Sequence, residues 1–332
     1  MKVGVIGTGY WGPNIIRNFL SNKNIIKVYS NDLDIKRLQN IKNRFPEIEI
    51  IKDGNELIKN NDIDIIAIST PVDSHFLLAK SALEEGKHIW VEKPFMANSK
   101  EAEEIIEISE KKNLKVFVDH TFIYTGSVMK MKEIIDSGDL GNIYYFDSVR
   151  INLGLFQSDV NVIWDLAPHD LSIMKYVLPQ KIVAVAANGI ANYYQQENIA
   201  HISVYFENNC FAHFHINWTS PVKIRKMIAG GDKKMLVFDD MENIEKIKIY
   251  DSGVNMNNKQ NIYDALVQYR IGDMYSPKVN QTEALSLGVS EFINSILENR
   301  IPLTNAYDGL EVVKILEAAN KSIKNKGKLI AL

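Results

Sequence analysis

A chain of 332 residues with 46% hydrophobic and 24% charged side chains has the make-up of a globular protein, with length enough for two well-filled cores. A formal charge of −3 gives no electrostatic case for nucleic acid or an anionic membrane surface, and the lone Cys210 excludes an intramolecular disulfide framework and any zinc site built from several cysteines. No apolar run reaches the ~18 residues of a membrane span, and the N-terminus passes straight into a strand and a glycine turn, so a cytoplasmic protein without a signal peptide is expected.

The N-terminal part alternates short apolar runs with amphipathic stretches. Val3 to Ile6, Ile25 to Ser30, Ile65 to Ser69, His88 to Val91 and Val116 to Val118 read as strands. Between them Asn14–Leu20, Ile35–Arg44, Ser74–Glu85 and Lys100–Lys112 read as helices. This alternation predicts βαβ units on a doubly wound parallel sheet, a Rossmann-type domain over residues 1–120. Beyond it the period changes. A helix around Val128–Ser137, a strand over Ile143–Ile151 and a helix from His169 to Val177 come first. Successive strands follow from Ile182 to Tyr250, then a long polar loop over Asp251–Gln281 and two closing helices, Glu283–Glu298 and Ala306–Lys324. Residues 121–332 are therefore expected to form an α+β domain with a large, mostly antiparallel sheet, serving substrate binding and oligomerisation.

Chemistry first appears at Gly7-Thr8-Gly9-Tyr10-Trp11-Gly12, which follows a strand and opens a helix. Gly7 permits the tight turn, Gly9 lets the backbone approach a pyrophosphate, and Gly12 allows close helix–strand packing. The phosphates would face the unpaired amides of the helix N-terminus. Asp32, twenty residues after Gly12, stands at the end of the second strand, where a carboxylate accepts from ribose hydroxyls and repels a 2′-phosphate. NAD is accordingly favoured over NADP.

Glu92-Lys93-Pro94 closes a later strand. Ligands of open α/β sheets bind beyond the carboxyl ends of the strands, so Lys93 is aimed at the cofactor crevice, and Pro94 restricts its backbone. Ser69-Thr70-Pro71 ends the preceding strand, with His75 in the helix after it. Further on, Asp165 and His169 are four residues apart and share a face if a helix starts there, with Pro168 in its first turn. A hydroxyl oxidised by hydride transfer must also lose a proton. Histidine suits that task, and a neighbouring carboxylate orients it and stabilises its charged form. Taken singly, each feature has a plainer reading: a glycine turn that binds nothing, a solvated lysine, a helix cap beside a packed histidine.

The ordered set is more specific. Gly7–Gly12, Thr70-Pro71 with His75, Gly86-Lys87-His88 leading into Glu92-Lys93-Pro94, and Asp165-x-x-x-His169 resemble the Gfo/Idh/MocA family over essentially the whole chain. This is the family of glucose–fructose oxidoreductase and inositol dehydrogenase. The resemblance implies an NAD(P)-dependent oxidoreductase acting on CH–OH groups. It implies cofactor contacts from Gly7, Gly9, Tyr10, Trp11, Gly12, Asp32, Thr70, Pro71, His75, Glu92 and Lys93. It makes Lys93 the contact of both nicotinamide ribose and substrate hydroxyl, and His169 the general acid/base beside Asp165, with the proton transfer left undivided between Lys93 and His169. Where members often carry an arginine-containing segment, this chain has His120 to Tyr124, which leaves the substrate contacts of that loop open.

Tyr124, Arg150 and Asn152 are candidate substrate contacts beside Lys93, Asp165 and His169; Arg150 and Asn152 lie two apart on a strand and so share a face, while a core aromatic is an equal reading of Tyr124 and a sheet-surface polar pair an equal reading of Arg150 and Asn152. The run Asn161 to Asp170 is similar to the branch encoded with bacterial cell-surface sugar pathways. That points to a nucleotide-linked sugar, for example oxidation at C3 of UDP-N-acetylglucosamine. A free polyol such as inositol is the alternative, and a non-catalytic cofactor-binding sensor a second. His213 and His215 share a face but are too few for a divalent metal, and no metal is expected. The family's habit implies a homodimer or homotetramer through the C-terminal sheet.

Overall fold

The first strand, β1 (Lys2–Ile6), is buried from Val3 onward and enters a tight turn that launches α1 (Gly12–Leu20). The structure, a computed structural model, describes residues 1–154, 160–178, 180–193, 195–256 and 267–332. By packing the chain divides into two units.

The first unit comprises Met1–Tyr124 and Thr282–Lys314. After α1 come β2 (Lys27–Asn31), α2 (Ile35–Arg44), β3 (Glu49–Ile50), α3 (Gly54–Lys59), β4 (Ile65–Ile68), α4 (His75–Glu84), β5 (His88–Glu92), α5 (Ser99–Lys111) and β6 (Val116–Asp119). The strands form one parallel sheet in the order β3-β2-β1-β4-β5-β6. All four residues of β4 and of β6 are buried, as expected of strands covered on both faces. The expected α/β class and parallel sheet are found. The short pair β3 and α3 escapes the sequence because two residues and six residues carry too little periodicity.

The second unit holds Thr125–Gln281 and Ile315–Leu332. It opens with α6 (Gly126–Asp136), β7 (Ile143–Leu153) and α7 (Val162–Val177). There follow β8 (Ile182–Ile190), β9 (Ile199–Phe206), β10 (Phe211–Asn217), β11 (Thr219–Gly231), β12 (Met235–Asp239) and β13 (Ile247–Tyr250). The segment expected as a loop instead carries an antiparallel pair, β14 (Gly253–Met256) with β15 (Val267–Arg270), and the short β16 (Met274–Tyr275), while residues 257–266 of it lie outside the described residues. Two more helices, α8 (Ala284–Leu297), which belongs to the first unit, and α9 (Ala306–Lys324), precede β17 (Ile330–Ala331). Nine strands form a sheet in the order β16-β13-β12-β11-β7-β10-β9-β8-β17, antiparallel except where β10 runs parallel to β7. Alternate residues of β9 and β10 are buried, and α7 packs on that covered face.

One expected boundary changes. Residues 282–314 were assigned by pattern to the second domain, yet they pack with the first unit. The cause is aromatic. Trp90 on β5 stacks on Phe117 on β6 at 4.1 Å between centroids, and Phe292 of α8 meets these rings at 5.9 and 5.4 Å. Each such fully buried ring contributes about 1.5–3 kcal/mol relative to exposure. Arg17 of α1 reinforces the return through Glu283, Nη1 to Oε2 2.9 Å.

Candidate active site

In the first unit the glycine turn is shaped by what its glycines exclude. Gly7 has φ +95°, and a Cβ there would meet the Ser69 carbonyl oxygen at 2.3 Å. A Cβ on Gly12 would stand 2.3 Å from the Gly7 carbonyl oxygen. Gly9 is different: the nearest atom to its would-be Cβ is Nη1 of Arg37 at 3.7 Å, so the backbone lies uncovered. No side chain caps α1, which leaves its first amides to an anion. Tyr10 and Trp11 are exposed at this turn and meet edge to face at 5.5 Å. The donor set fits a dinucleotide.

Asp32 ties the turn together. Its Oδ2 accepts from Thr8 N at 2.7 Å and Thr8 Oγ1 at 2.8 Å, and its Oδ1 accepts from Asp34 N at 2.8 Å. Burial works to raise its pKa, but the bonds from Asp34 and Thr8 and the charge of Arg37 together bring it below the usual carboxylate range. A carboxylate has about four lone-pair sites, so one remains for a ribose hydroxyl.

Lys93 follows β5 at the carboxyl end of the sheet, joined to Pro94 by a cis peptide bond. His75 is fully buried, with Nε2 2.9 Å from the Thr70 carbonyl oxygen and Nδ1 3.1 Å from that of Pro94. Burial pushes its pKa down against the pull of those carbonyls. His75 thus clamps the Thr70-Pro71 loop to the Lys93-Pro94 loop. Thr70 Oγ1 is paired with Ser74 Oγ at 2.6 Å. Tyr124, expected near substrate, is buried instead in the core of this unit. Its hydroxyl meets Thr304 Oγ1 at 3.0 Å and its ring stacks on Phe117. A phenol needs a partner when buried, and Thr304 provides it.

In the second unit α7 begins at Val162, two turns earlier than expected, because Asn161 caps it: Asn161 Oδ1 accepts from Trp164 N at 3.2 Å. Pro168 therefore lies inside the helix, and Asp165 and His169 stand on one face, one turn apart. Trp218 Nε1 donates to Asp165 Oδ2 at 3.0 Å, fixing the carboxyl from the end of β10.

Arg150, expected to contact substrate, is buried against Asp170. Its Nε donates to Asp170 Oδ1 at 2.7 Å, while Ser148 Oγ donates to Oδ2 at 2.7 Å. Arg150 therefore anchors the helix that carries His169 onto β7, and of the proposed strand pair only Asn152 stays partly exposed. His213 and His215 share their face with His201, which stacks on His215 at 4.4 Å with planes 10° apart and on His213 at 26°. His201 Nδ1 lies 3.3 Å from His213 Nε2. Among the described residues no group of three His, Cys, Asp or Glu is arranged to hold a metal ion, and no helix is long and apolar enough to cross a membrane.

Residues 1–120 match the family model for the GFO/IDH/MocA oxidoreductases with an NAD-binding Rossmann fold, and residues 128–237 match the C-terminal domain model of the same family. The chain belongs to the GFO/IDH/MocA family. Its first unit contains the family's NAD-binding domain. A 1-carboxy-3-chloro-3,4-dihydroxycyclohexa-1,5-diene dehydrogenase of Comamonas testosteroni is 26% identical over 56% of the chain, which spans 50% of that relative's length. The myo-inositol 2-dehydrogenase of Thermotoga maritima is 21% identical over 98% of the chain and 97% of its own length. A UDP-N-acetylglucosamine 3-dehydrogenase of Acidithiobacillus ferrooxidans shares the fold with a TM-score of 0.82, at 20% identity and 98% coverage of both chains.

Sequence reading missed several members of these clusters. Trp218 sits 53 residues from Asp165, and Asp170, although it closes the run Asn161–Asp170, gives no sign in the sequence of its partner Arg150. Arg37 lies one turn into α2, yet reaches the glycine turn. Asp119 stands opposite Glu92 across the β5–β6 ladder, a register that pattern alone does not give.

Proposed function

We propose that the protein is an NAD-dependent dehydrogenase that oxidises a hydroxyl of a sugar, and more finely of a nucleotide-linked sugar. The observation that carries the reading is Lys93 at the carboxyl end of β5, two strands from the glycine turn of β1 in the sheet of an NAD-binding domain. NAD, when bound, supplies the acceptor for the hydride. The amides of the Gly7–Gly12 turn bind pyrophosphate, and Asp32 accepts from the adenosine ribose, which favours NAD over NADP. Lys93 orients the substrate hydroxyl. His169 takes the proton, and Asp165, held by Trp218, steadies the cation that results.

The nucleotide-linked class rests on the run Asn161–Asp170, and a UDP-sugar dehydrogenase shares the whole fold. A free polyol is the second reading, favoured by the full-length relative that oxidises myo-inositol. The presence of Lys93, Asp165 and His169 argues against a non-catalytic sensor. A cytoplasmic homo-oligomer paired through the second sheet completes the reading. Its support is the sheet face opposite α7, where Tyr205 and Phe211 meet edge to face at 5.3 Å beside the stacked histidines. The test is incubation with NAD and a panel of nucleotide sugars and free polyols, following NADH. Turnover confined to nucleotide sugars supports the finer reading, turnover with polyols alone moves it to the second, and bound NAD with no turnover leaves the sensor.

A further inference from the structure

Glu92 and Asp119 face one another at the carboxyl ends of β5 and β6, both almost fully buried. Paired across the parallel ladder, their side chains leave the sheet on the same face. Two carboxylates have only acceptors to offer, so neighbours buried this way can join only with a proton on one. Thr121 Oγ1 donates to Asp119 Oδ1 at 2.6 Å, which leaves Asp119 the better placed to carry the charge. Electrostatics agree: burial and then the charge of Asp119 push Glu92 well above the ordinary carboxyl range, and burial also raises Asp119.

The charged and titratable groups acting on this pair are few. The charge of Lys93 favours ionisation of the two carboxyls. His120, fully buried and without a hydrogen-bond partner for either ring nitrogen among the described residues, is pushed down to about 3 by burial and the charge of Lys93. It is neutral at physiological pH and adds no second cation. Tyr124 also feels Asp119, and burial raises it well above the ordinary phenol range. One lysine therefore stands against two carboxyls. A double anion there would be buried with a net charge of −1, whereas one retained proton makes the cluster neutral.

We propose that Glu92 and Asp119 act as a single carboxyl dyad, sharing one proton and setting one negative charge beside Lys93, and are positioning residues for that lysine. The proposal rests on the role given to Lys93 above. The dyad holds the ammonium at the end of β5 without locking it to two anions. Either carboxyl can carry the charge if its neighbour is replaced by an amide, so the two are partly redundant.

Infrared difference spectra of the cofactor-free protein test the proton directly. The wild type is expected to show the carbonyl band of a buried protonated carboxylic acid, and Glu92→Gln to remove it. A wild type without the band, or a band untouched by both Glu92→Gln and Asp119→Asn, overturns the dyad whatever Lys93 does. Kinetics supply the second readout. Each single amide lowers kcat by less than about tenfold, and the double variant falls about tenfold below the product of the two, the coupling of groups that act together. Strictly multiplicative losses overturn the shared charge. Full turnover by Lys93→Met would instead remove the proposed function, while the infrared result stands on its own.

Discussion

Arg150 offers the sharpest contrast between a binding and an anchoring role. Its side chain is 4% exposed and that of Asp170 1%, so Arg150→Met keeps most of the volume but leaves a buried carboxylate without its guanidinium. Breaking a buried pair from one side costs about 3–5 kcal/mol. At about 2–4 °C per kcal/mol for a unit of this size, thermal melting should fall by about 6–20 °C. Replacing both partners removes the orphaned charge, so Arg150→Met with Asp170→Leu should recover most of the loss. Differential scanning fluorimetry gives the melting points, and steady-state kinetics on the folded fraction give KM. A drop below about 2 °C combined with a raised substrate KM would refute the anchoring account and return Arg150 to the substrate.

His169→Ala should leave NAD affinity nearly intact and lower turnover about 10²–10⁴-fold; an unchanged rate removes His169 from proton transfer. Asp32→Ala should weaken NAD more than NADP in titration calorimetry, because it removes the ribose acceptor and leaves Arg37 beside the turn; equal losses would count against the ribose assignment. His88 gives a pH effect with a fixed sign. Its Nδ1 accepts from Lys115 N at 2.9 Å, and burial, with the charge of Lys115, takes its pKa down to about 4. The unfolded value lies near 6.5, so the unfolded chain binds the proton more readily. The contribution of His88 is complete above about pH 6.5 and is lost as pH falls towards about 4. Melting points measured across that window should decline, and His88→Asn should flatten part of the decline; an identical slope in the variant contradicts the assignment.

The parallel sheet was legible because β1, β4 and β5 are short apolar runs between helices with clear periodicity. The order of glycine turn, lysine before proline, and Asp-x-x-x-His was legible because each lies within a few residues of chain. What failed was long range. Tyr124 reads equally as a pocket or a core residue, and only Thr304 at its hydroxyl decides it; Asp170 does the same for Arg150, and neither partner is near in sequence. The start of α7 was misjudged because Pro168 resembles a first-turn proline, while the cap that decides the boundary is Asn161. The return of α8 to the first unit depends on Phe292 meeting Trp90 and Phe117, and periodicity carries no information about which sheet a helix covers.

Lys93 is proposed to serve hydride transfer from a sugar carbon. A nucleotide sugar deuterated at the carbon to be oxidised, given to the wild-type protein with NAD, tests it most directly. Deuterium is expected in the reduced cofactor, with a slowed rate, and Lys93→Met is expected to bind NAD but transfer none. Reduced cofactor formed without deuterium, or transfer undiminished in Lys93→Met, would contradict it.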